Sequence, residues 1–364
     1  MELEALKAGD TITVKLDDVS KDAATGVVTL RYHRVGQIDP SAETARSTIP
    51  VAATPESAPL SRYQRLIEMT RGLEPIRTAV VHPVDQNSLL GAIAAARAHL
   101  IVPILVGPEA RIRKAAAEAQ IDLSPYEIVP TEHSEAAALA SVAMARAGSV
   151  EALMKGALHT NELMHSVVDA EKGLRTGRRI SHVFAIDAPR YPSPLFITDA
   201  AINIYPTLTD KRDIIQNAID LVHALGIAEP RVAILAADEL VNEGIRSTVD
   251  AAALCKMADR GQITGGLLDG PLAFDNAVSE EAAQAKGIIS QVAGHAHILV
   301  VPDLEAGNML AKQLQYLAEA HMAGIVLGAR VPIILTSRAD KTESRLGSSA
   351  IALLLARHGQ RKAG

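Results

Sequence analysis

Residues 298–335 read ILVVPDLEAGNMLAKQLQYLAEAHMAGIVLGARVPIIL, and this stretch decides the fold class. An apolar run at Ile298–Pro302 precedes a helical pattern at Met309–Ala320, and two further apolar runs follow at Gly324–Leu327 and Val331–Leu335. Apolar runs separated by a helix predict βαβ units and a largely parallel sheet that is covered by helices. Ligands bind beyond the carboxyl ends of such strands, so functional residues are expected in the loops that follow them.

The same alternation of strands and helices begins near Tyr63. The clearest helix is predicted at Asp210–Leu225, where the apolar residues share one face and Gly226 suits the position after the helix C-terminus. The other predicted strands are Thr78–His82, Ile101–Val106, Glu127–Val129, His182–Ile186, Leu195–Thr198, Val232–Ala236 and Gly266–Asp269. The pattern predicts an α/β protein, and the length of the chain favours two or three domains.

The composition excludes broad classes of function. The chain has 364 residues and a net charge of −6, so no basic field is available to attract nucleic acid. Its single cysteine, Cys255, excludes an internal disulfide and is expected to be a small buried side chain within a helix rather than a nucleophile. The N-terminus has no apolar signal segment, and no apolar stretch approaches the ~20 residues that span a bilayer. We therefore expect a cytoplasmic protein that binds neither nucleic acid nor membrane.

The first 61 residues differ from the rest of the chain. TITVKL and GVVTLRYHRV alternate apolar and polar residues, which predicts two strands, and the Ser-, Thr-, Ala- and Pro-rich residues 39–61 are typical of a linker. Two strands alone are not stable in water, so they must pack on something else. The segment is similar to the last strands of a MaoC-like hydratase hot-dog domain. It lacks the catalytic Asp/His pair of that family and is not expected to hydrate a substrate.

The segment Asp303–Asn308 follows an apolar strand and precedes the predicted helix at Met309. A loop in this position offers free N–H groups at a helix N-terminus, which suits an anion, and Gly307 allows a close approach. An ordinary strand-to-helix turn capped by Asn308 explains the same pattern.

Ser337 and Arg338 follow the strand VPIILT. An arginine there is able to bind phosphate bidentately, and the neighbouring serine is able to hydrogen-bond a thiol or an oxyanion. The alternative is a surface arginine paired with Asp340 or Glu343.

Five ordered motifs in the chain resemble those of the phosphate acetyltransferase/phosphate butyryltransferase family, over roughly residues 63–358. They are KGALHT at Lys155–Thr160, FITDAAINIYP at Phe196–Pro206, GPLAFD at Gly270–Asp275, VPDLEAGNMLAK at Val301–Lys312 and TSRAD at Thr336–Asp340. The resemblance implies transfer of a short acyl group between coenzyme A and inorganic phosphate, with no metal and no cofactor beyond the substrate coenzyme A. It also implies a homodimer whose ligands are coenzyme A, phosphate and acyl phosphate.

The resemblance also implies which residues bind the substrates and take part in the reaction. Ser337 and Arg338 match the pair that binds the reacting groups in the family. The expected substrate-binding residues are His159, Thr160, Thr198, Asp199, Asp269, Pro271, Asp275, Asp303, Gly307, Asn308 and Lys312. For His159 a hydrogen-bonded core position is the alternative, and for the aspartates the alternative is helix N-capping.

Two positions depart from the longer enzymes of the family. They place an aspartate, proposed as the base for the coenzyme A thiol, where this chain has Ser344. They also carry an arginine shortly after the histidine that matches His159, and the nearest residue here is His165. The departure at Ser344 and the sequence RADKTESRLGS resemble the butyryltransferase-like branch, and they leave Asp340, Glu343 or water as the base.

The resemblance further implies two α/β domains around a cleft, as in isocitrate and isopropylmalate dehydrogenases, after an N-terminal β segment and linker at residues 1–61. Domain 1 is expected at residues 62–178 plus 327–364, and domain 2 at residues 179–326. Two alternatives remain: an NAD- and metal-dependent dehydrogenase of the same fold, and a non-catalytic scaffold that binds coenzyme A. The length of the acyl chain does not follow from the sequence.

Overall fold

The computed structural model describes three strands within Met1–Ser61 and residues 62–336 and 342–363 of the remaining chain. The chain forms two compact units, Met1–Ser61 and Arg62–Gly364. The helices of the second unit are α1 (Arg62–Glu68), α2 (Gln86–Arg97), α3 (Glu109–Glu118), α4 (Ser134–Arg146), α5 (Thr160–Val167), α6 (Leu208–Ala224), α7 (Arg246–Asp259), α8 (Phe274–Val278), α9 (Glu280–Ala285), α10 (Leu304–Leu317) and α11 (Thr342–Ala363).

The first unit contains a three-stranded antiparallel sheet of β1 (Val14–Lys21), β2 (Val28–Arg34) and β3 (Arg46–Ile49). The first two strands confirm the prediction from sequence. The third lies inside the residues predicted to be a linker, and this prediction was wrong at Arg46–Ile49. Thr48 and Ile49 are β-branched, and β3 pairs with β2 through Val28 opposite Ile49, so strand pairing prevails over the linker-like composition around it.

The second unit is built on one sheet of eleven strands. They are β4 (Ile76–Val81), β5 (Ile101–Gly107), β6 (Glu127–Pro130), β7 (Ala152–Lys155), β8 (Ser181–Asp187), β9 (Leu195–Thr198), β10 (Arg231–Leu235), β11 (Leu267–Leu272), β12 (Ile298–Val300), β13 (His321–Leu327) and β14 (Ile333–Ile334). Their order across the sheet is β11-β10-β12-β9-β8-β13-β14-β7-β4-β5-β6. The predicted α/β class and largely parallel sheet are confirmed.

Two strands in the middle of the sheet interrupt the parallel arrangement. Strands β14, β7, β4, β5 and β6 are parallel to one another, and so are β9, β12, β10 and β11. Between these sets, β8 is antiparallel to both β9 and β13, and β13 is antiparallel to β14. Within the sheet, the carboxyl ends of the two parallel sets therefore lie at opposite edges.

The two faces of the sheet are packed differently. One hydrophobic core runs along the whole of one face and includes Ile93 of α2, Ile215 of α6 and Ile351 of α11. On the other face there are two separate cores, one around Val142 of α4 and one around Ala311 of α10. The strand residues alternate accordingly, since Ile76 and Val80 face the continuous core while Ala79 and Val81 face a divided one. His182 of β8 and Gly324 of β13 lie between the two separate cores.

Candidate functional site

The carboxyl end of β7 lies beside the carboxyl end of β4. Lys155 is the last residue of β7, pairs with Val81, and has a side chain that is almost completely buried. Gly156 follows and donates its N–H to the Val81 carbonyl oxygen at 2.9 Å. A Cβ atom on Gly156 would overlap that oxygen and come within 2.8 Å of the His82 carbonyl oxygen. Glycine is therefore required here by the close approach of two backbones.

Two predicted substrate-binding residues lie at the start of α5, directly after this edge. His159 is the N-cap residue and is exposed, but its side chain does not cap the helix. Thr160 is the first residue of the helix, and the N–H groups of a first turn have no acceptor inside their own helix. An anion is favoured at such a position, although Glu162 in the same turn opposes it. Glu162 accepts a hydrogen bond from the Ser134 hydroxyl.

Strand β14 leads to the same edge, because it is parallel to β7 and pairs Ile334 with Met154. Thr336 is buried, and the described chain continues at Thr342. The predicted residues Ser337, Arg338 and Asp340 lie outside the described residues. Glu343 lies in the first turn of α11 and is exposed. Burial and the charge of Glu343 together raise the pKa of the Tyr63 phenol.

Thr198 and Asp199 lie at the opposite edge, where β9 ends. The Thr198 hydroxyl donates to the His182 carbonyl oxygen at 2.9 Å. The Asp199 carboxylate is buried and accepts hydrogen bonds from the N–H groups of Ala201 and Ile202 and from the Asn203 side-chain amide. Burial raises the pKa of Asp199, and these hydrogen bonds oppose that effect. The described contacts of Asp199 are therefore those of a residue that stabilises its own turn.

The segment Asp303–Asn308 is not a loop, and the prediction that the helix starts at Met309 was wrong. Helix α10 begins at Leu304, and the Asp303 carboxylate caps it by accepting the Ala306 N–H at 2.9 Å. Aspartate is a strong N-cap residue, and Leu, Glu and Ala after it favour a helix. The N-cap is therefore Asp303 rather than Asn308.

Gly307 and Asn308 lie on α10 and pack against the turn after β9. A Cβ atom on Gly307 would come within 3.1 Å of Ala200, and the Asn308 amide donates to the Ala200 carbonyl oxygen at 3.2 Å. Lys312 lies further along α10, with its Nζ 3.0 Å from Gln315 Oε1 and 5.9 Å from the centre of the Tyr316 ring. These contacts join Asp199–Ala200 and the first turn of α10 into one cluster.

The remaining predicted residues lie near the ends of β10 and β11. Asp269 and Pro271 are on β11, where Asp269 is half-buried and Pro271 is buried. Asp275 lies in the first turn of α8, is exposed, and lies 3.6 Å from Lys286 Nζ, which is also 3.1 Å from Glu239. Lys286 thus pairs both with Asp275 and with Glu239 in the loop after β10.

The helical position predicted for Cys255 is confirmed, whereas its burial is only partial. It lies within α7, is half-buried, and its pKa is raised to about 12 by burial first and then by the charges of Asp269 and Asp259. A thiol with this pKa is almost entirely protonated near neutral pH, so Cys255 is a poor nucleophile.

The predicted residues thus fall at two edges of the sheet. His159 and Thr160 lie at the carboxyl edge of β14, β7 and β4, whereas Asp199 and the first turn of α10 lie at the carboxyl edge of β9 and β12. The prediction did not single out Lys155, Glu239 or Lys286. Lys155 was available as the first residue of the KGALHT motif, and Glu239 as an acidic residue shortly after a strand.

Within the residues that the structure describes, no group of His, Cys, Asp or Glu side chains is placed to hold a metal ion. In the same residues, no helix combines the length and the apolarity needed to cross a bilayer.

The chain is similar to known acyl-transferring enzymes over most of its length. The sequence profile of the family described as phosphate acetyl/butaryl transferase matches residues 132–353. A phosphate acetyltransferase of Rhizobium meliloti is 63% identical over 296 residues, which is 81% of this chain and 94% of the relative. A phosphate butyryltransferase of Clostridium beijerinckii is 42% identical over 294 residues, or 81% of this chain and 97% of the relative.

A solved structure has the same fold. The branched-chain phosphotransacylase from Enterococcus faecalis superimposes with a TM-score of 0.68 at 28% identity, and the match covers 77% of this chain and 99% of that one.

Proposed function

This chain belongs to the phosphate acetyl/butaryl transferase family, and we propose on that premise that it transfers a short acyl group reversibly between coenzyme A and inorganic phosphate. The reaction is acyl-CoA + phosphate = acyl phosphate + CoA. The observation that carries the proposal is the 63% identity to the Rhizobium meliloti phosphate acetyltransferase over 94% of that enzyme. At this identity, nearly every part of the Rhizobium meliloti enzyme has a matching segment in this chain.

We further propose two domains, formed by residues 62–178 plus 327–364 and by residues 179–326, with the active site in a crevice between them. Support comes from the strand order, because the boundary falls between β13 and β14 and leaves each set of strands contiguous. The separation of the two cores on one face of the sheet is a second support. Sheets twist by roughly 20–25° per strand pair, and we propose that this twist turns the opposite carboxyl edges of the two sets toward one crevice.

In the proposed mechanism, the thiolate of coenzyme A attacks the carbonyl carbon of the acyl phosphate. The carbon–sulfur bond forms, a tetrahedral oxyanion results, and the bond to the phosphate oxygen breaks as phosphate leaves. Arg338 neutralises the charge of the phosphoryl group, and Ser337 positions the thiol or the oxyanion. Proximity and electrostatic stabilisation supply most of the rate, and no residue of the chain becomes acylated.

The proton of the thiol needs an acceptor, and Asp340, Glu343 or water takes it in this proposal. Glu343 is supported by its exposed position at the start of α11. His159 and Thr160 are proposed as substrate contacts beside Lys155, since the first turn of α5 favours an anion. The remaining proposed contacts are Thr198, Asp199, Asp269, Pro271, Asp275, Asp303, Gly307, Asn308 and Lys312. No metal ion and no cofactor other than the substrate coenzyme A takes part in the proposed reaction.

The experiment is an assay of thiol release from acetyl-CoA, propionyl-CoA and butyryl-CoA, with and without phosphate. We expect release that depends on phosphate, and the ratio of kcat/KM values identifies the acyl group. One methylene in an apolar pocket changes preference by about 10–200-fold, so the three substrates are distinguishable. Reduction of NAD by a hydroxy acid in the presence of a divalent metal, without thiol release, would establish the dehydrogenase instead. Binding of coenzyme A without turnover would establish the scaffold.

We also propose that the enzyme is a cytoplasmic homodimer. Support for the dimer comes from four exposed apolar side chains in the turns after β9 and β10, namely Ile204, Tyr205, Leu240 and Val241. Ile204 and Tyr205 are neighbours in the chain, as are Leu240 and Val241, and adjoining exposed apolar groups are typical of an interface. Light scattering on the purified protein tests this, with a mass near twice the 38.4 kDa of one chain expected. A monomeric mass at working concentrations would contradict it.

A further inference from the structure

His82 follows β4 directly and is held in an uncommon backbone conformation. Its φ is +57°, which is in the left-handed region that few residues other than glycine and asparagine adopt readily. The backbone is fixed on both sides, because the His82 N–H donates to Val106 at 2.7 Å and its carbonyl oxygen accepts from Ala157 at 2.9 Å. Strand β5 and the segment that follows β7 thus hold the residue at the carboxyl edge of the sheet.

The imidazole of His82 is 4% exposed, and its Nδ1 atom has no hydrogen-bond partner within the described part of the chain. Burial lowers the pKa of His82, and Arg111 lowers it further. Asp85, His133 and Glu162 also act on the ring, so all four helices α2, α3, α4 and α5 contribute a charged or titratable group around it. The imidazole is therefore neutral at pH 7, with one nitrogen able to donate a hydrogen bond.

Lys155 and the first turn of α5 favour an anion near His82, whereas the charges of Asp85 and Glu162 oppose one. Lys155 ends the adjacent strand and pairs with Val81, the residue before His82. Gly156 brings the backbone of β7 against that of His82, and α5 begins shortly afterwards at Thr160. Glu162, in the first turn of α5, is one of the charges that act on the imidazole. A buried lysine and the first turn of a helix both attract negative charge.

We propose that His82 is a phosphate-binding residue, whose imidazole donates a hydrogen bond to the inorganic phosphate or to the phosphoryl group of the acyl phosphate. The inference rests on the proposed function and adds a residue to its phosphate subsite. A buried nitrogen without a partner is costly, and an oxygen of the bound phosphate satisfies it. In this proposal Lys155 provides a positive charge at this edge of the sheet, and the hydrogen bond from the His82 imidazole orients the phosphate.

Two variants at this position separate binding from folding. His82→Gly keeps a backbone that accepts positive φ and removes the donor, whereas His82→Asn tolerates the same backbone and restores an N–H donor near Nδ1. We expect His82→Gly to raise the KM for phosphate about tenfold or more and to change the KM for acyl-CoA less than about twofold. His82→Asn is expected to recover most of this loss.

His133→Asn is the matched control. His133 is exposed, and its Nδ1 accepts the Ala136 N–H at 3.2 Å as the N-cap of α4, a role that asparagine also fills. This variant should keep the wild-type KM for phosphate. An unchanged phosphate KM in His82→Gly would overturn the proposal. So would an equal rise in both KM values, with a lower Tm and no recovery in His82→Asn, because it indicates a structural role.

Calorimetric titration with inorganic phosphate separates this inference from the proposed function. If the wild-type protein binds phosphate, His82→Gly binds it about tenfold or more weakly and neither releases thiol, then the proposed function fails and the His82 assignment stands. If the wild-type protein releases thiol in a phosphate-dependent manner and both proteins bind phosphate equally, the His82 assignment fails alone.

Discussion

Gly324 on β13 lies directly against His182 on β8, and a Cβ atom on Gly324 would come within 2.9 Å of His182 Nε2. The same Cβ atom would overlap the carbonyl oxygen of Leu335, the residue directly before Thr336 at a proposed active-site edge. The two residues occupy the part of the sheet between the two separate cores. No side chain larger than hydrogen fits at Gly324 without movement of this backbone.

Gly324→Ala is therefore expected to destabilise the protein by about 1–3 kcal/mol, the usual cost of forcing a methyl group into a packed region. Because Leu335 must move, kcat should fall as well. Denaturant unfolding and the thiol-release assay measure the two effects. Gly177→Ala is the control, since its Cβ atom would meet nothing within 4 Å and its φ is not positive. Wild-type stability in Gly324→Ala would contradict the prediction.

His182 makes stability depend on pH. The ring is completely buried, and burial lowers its pKa from 6.5 to about 3, while the backbone of Leu335 opposes the shift. The unfolded chain therefore binds a proton below pH 6.5 that the folded chain does not. Folding stability contributed by neutral His182 is present above pH 6.5 and is lost as the pH falls toward 3, by up to about 1.4 kcal/mol per pH unit.

His182→Asn should remove this contribution to the fall in folding free energy between pH 6 and pH 4, as measured by urea unfolding at several pH values. The exposed His321 is the position for a control, and His321→Asn should retain the slope of the wild-type protein. The lowered pKa values of His82 and His297 also make stability fall at low pH. The test therefore compares the pH dependence of each variant with that of the wild-type protein. Identical slopes in all three proteins would show that His182 is not responsible.

Arg338→Ala is expected to lower kcat/KM by about a hundredfold or more, because the proposed mechanism loses its main stabilisation of phosphoryl charge. Arg338→Lys should recover only part of the activity, since an ammonium group does not bind phosphate bidentately. Arg330→Ala is a matched control. Arg330 is exposed, and its described hydrogen bond runs from the backbone N–H to Leu174. Full activity in Arg338→Ala would remove Arg338 from the mechanism.

Lys211 and Asp250 form an ion pair between α6 and α7. Lys211 Nζ lies 2.9 Å from Asp250 Oδ2, and the two side chains are 6% and 11% exposed, respectively. Lys211→Met should cost about 3 kcal/mol of folding free energy, because it leaves the Asp250 carboxylate buried with Arg246 at 3.7 Å as its remaining described partner.

Denaturant unfolding measures this cost, and the double variant Lys211→Met/Asp250→Asn should regain part of it. Lys256→Met serves as the control, since Lys256 and Asp259 form an exposed pair and no measurable change is expected. A neutral Lys211→Met would mean that the pair adds nothing to stability.

The local elements were predictable from sequence because their signals are local. Apolar runs placed ten of the eleven described strands of the main sheet within a few residues, and the predicted strands did not include β7. The periodicity of residues 210–225 located α6 with a shift of two residues at its start. The start of α10 was missed because the glycine and asparagine at positions 307–308 suggested a turn. The Asp303 cap fixes the helix before them.

The arrangement of the strands was not predictable in the same way. The reversal at β8 and β13 depends on which strands pair across the chain, for example Val183 with Ile325, and apolar runs carry no information about direction. The role of Asp199 was also hidden, since its partners in the following turn become visible only with coordinates. For His82, the sequence indicated only the end of a strand, and the positive φ and the buried Nδ1 atom are properties of the fold.

The unequal packing of the two faces has a mechanical consequence. The face with one continuous core cannot open without exposing residues such as Ile215, Ile334 and Ile351 to water. On the other face the two cores are independent, so a change of angle between the halves leaves each of them intact. Under the proposed two-domain organisation, we therefore expect the halves to move apart on the face that lacks a shared core, and a substrate to enter from that face.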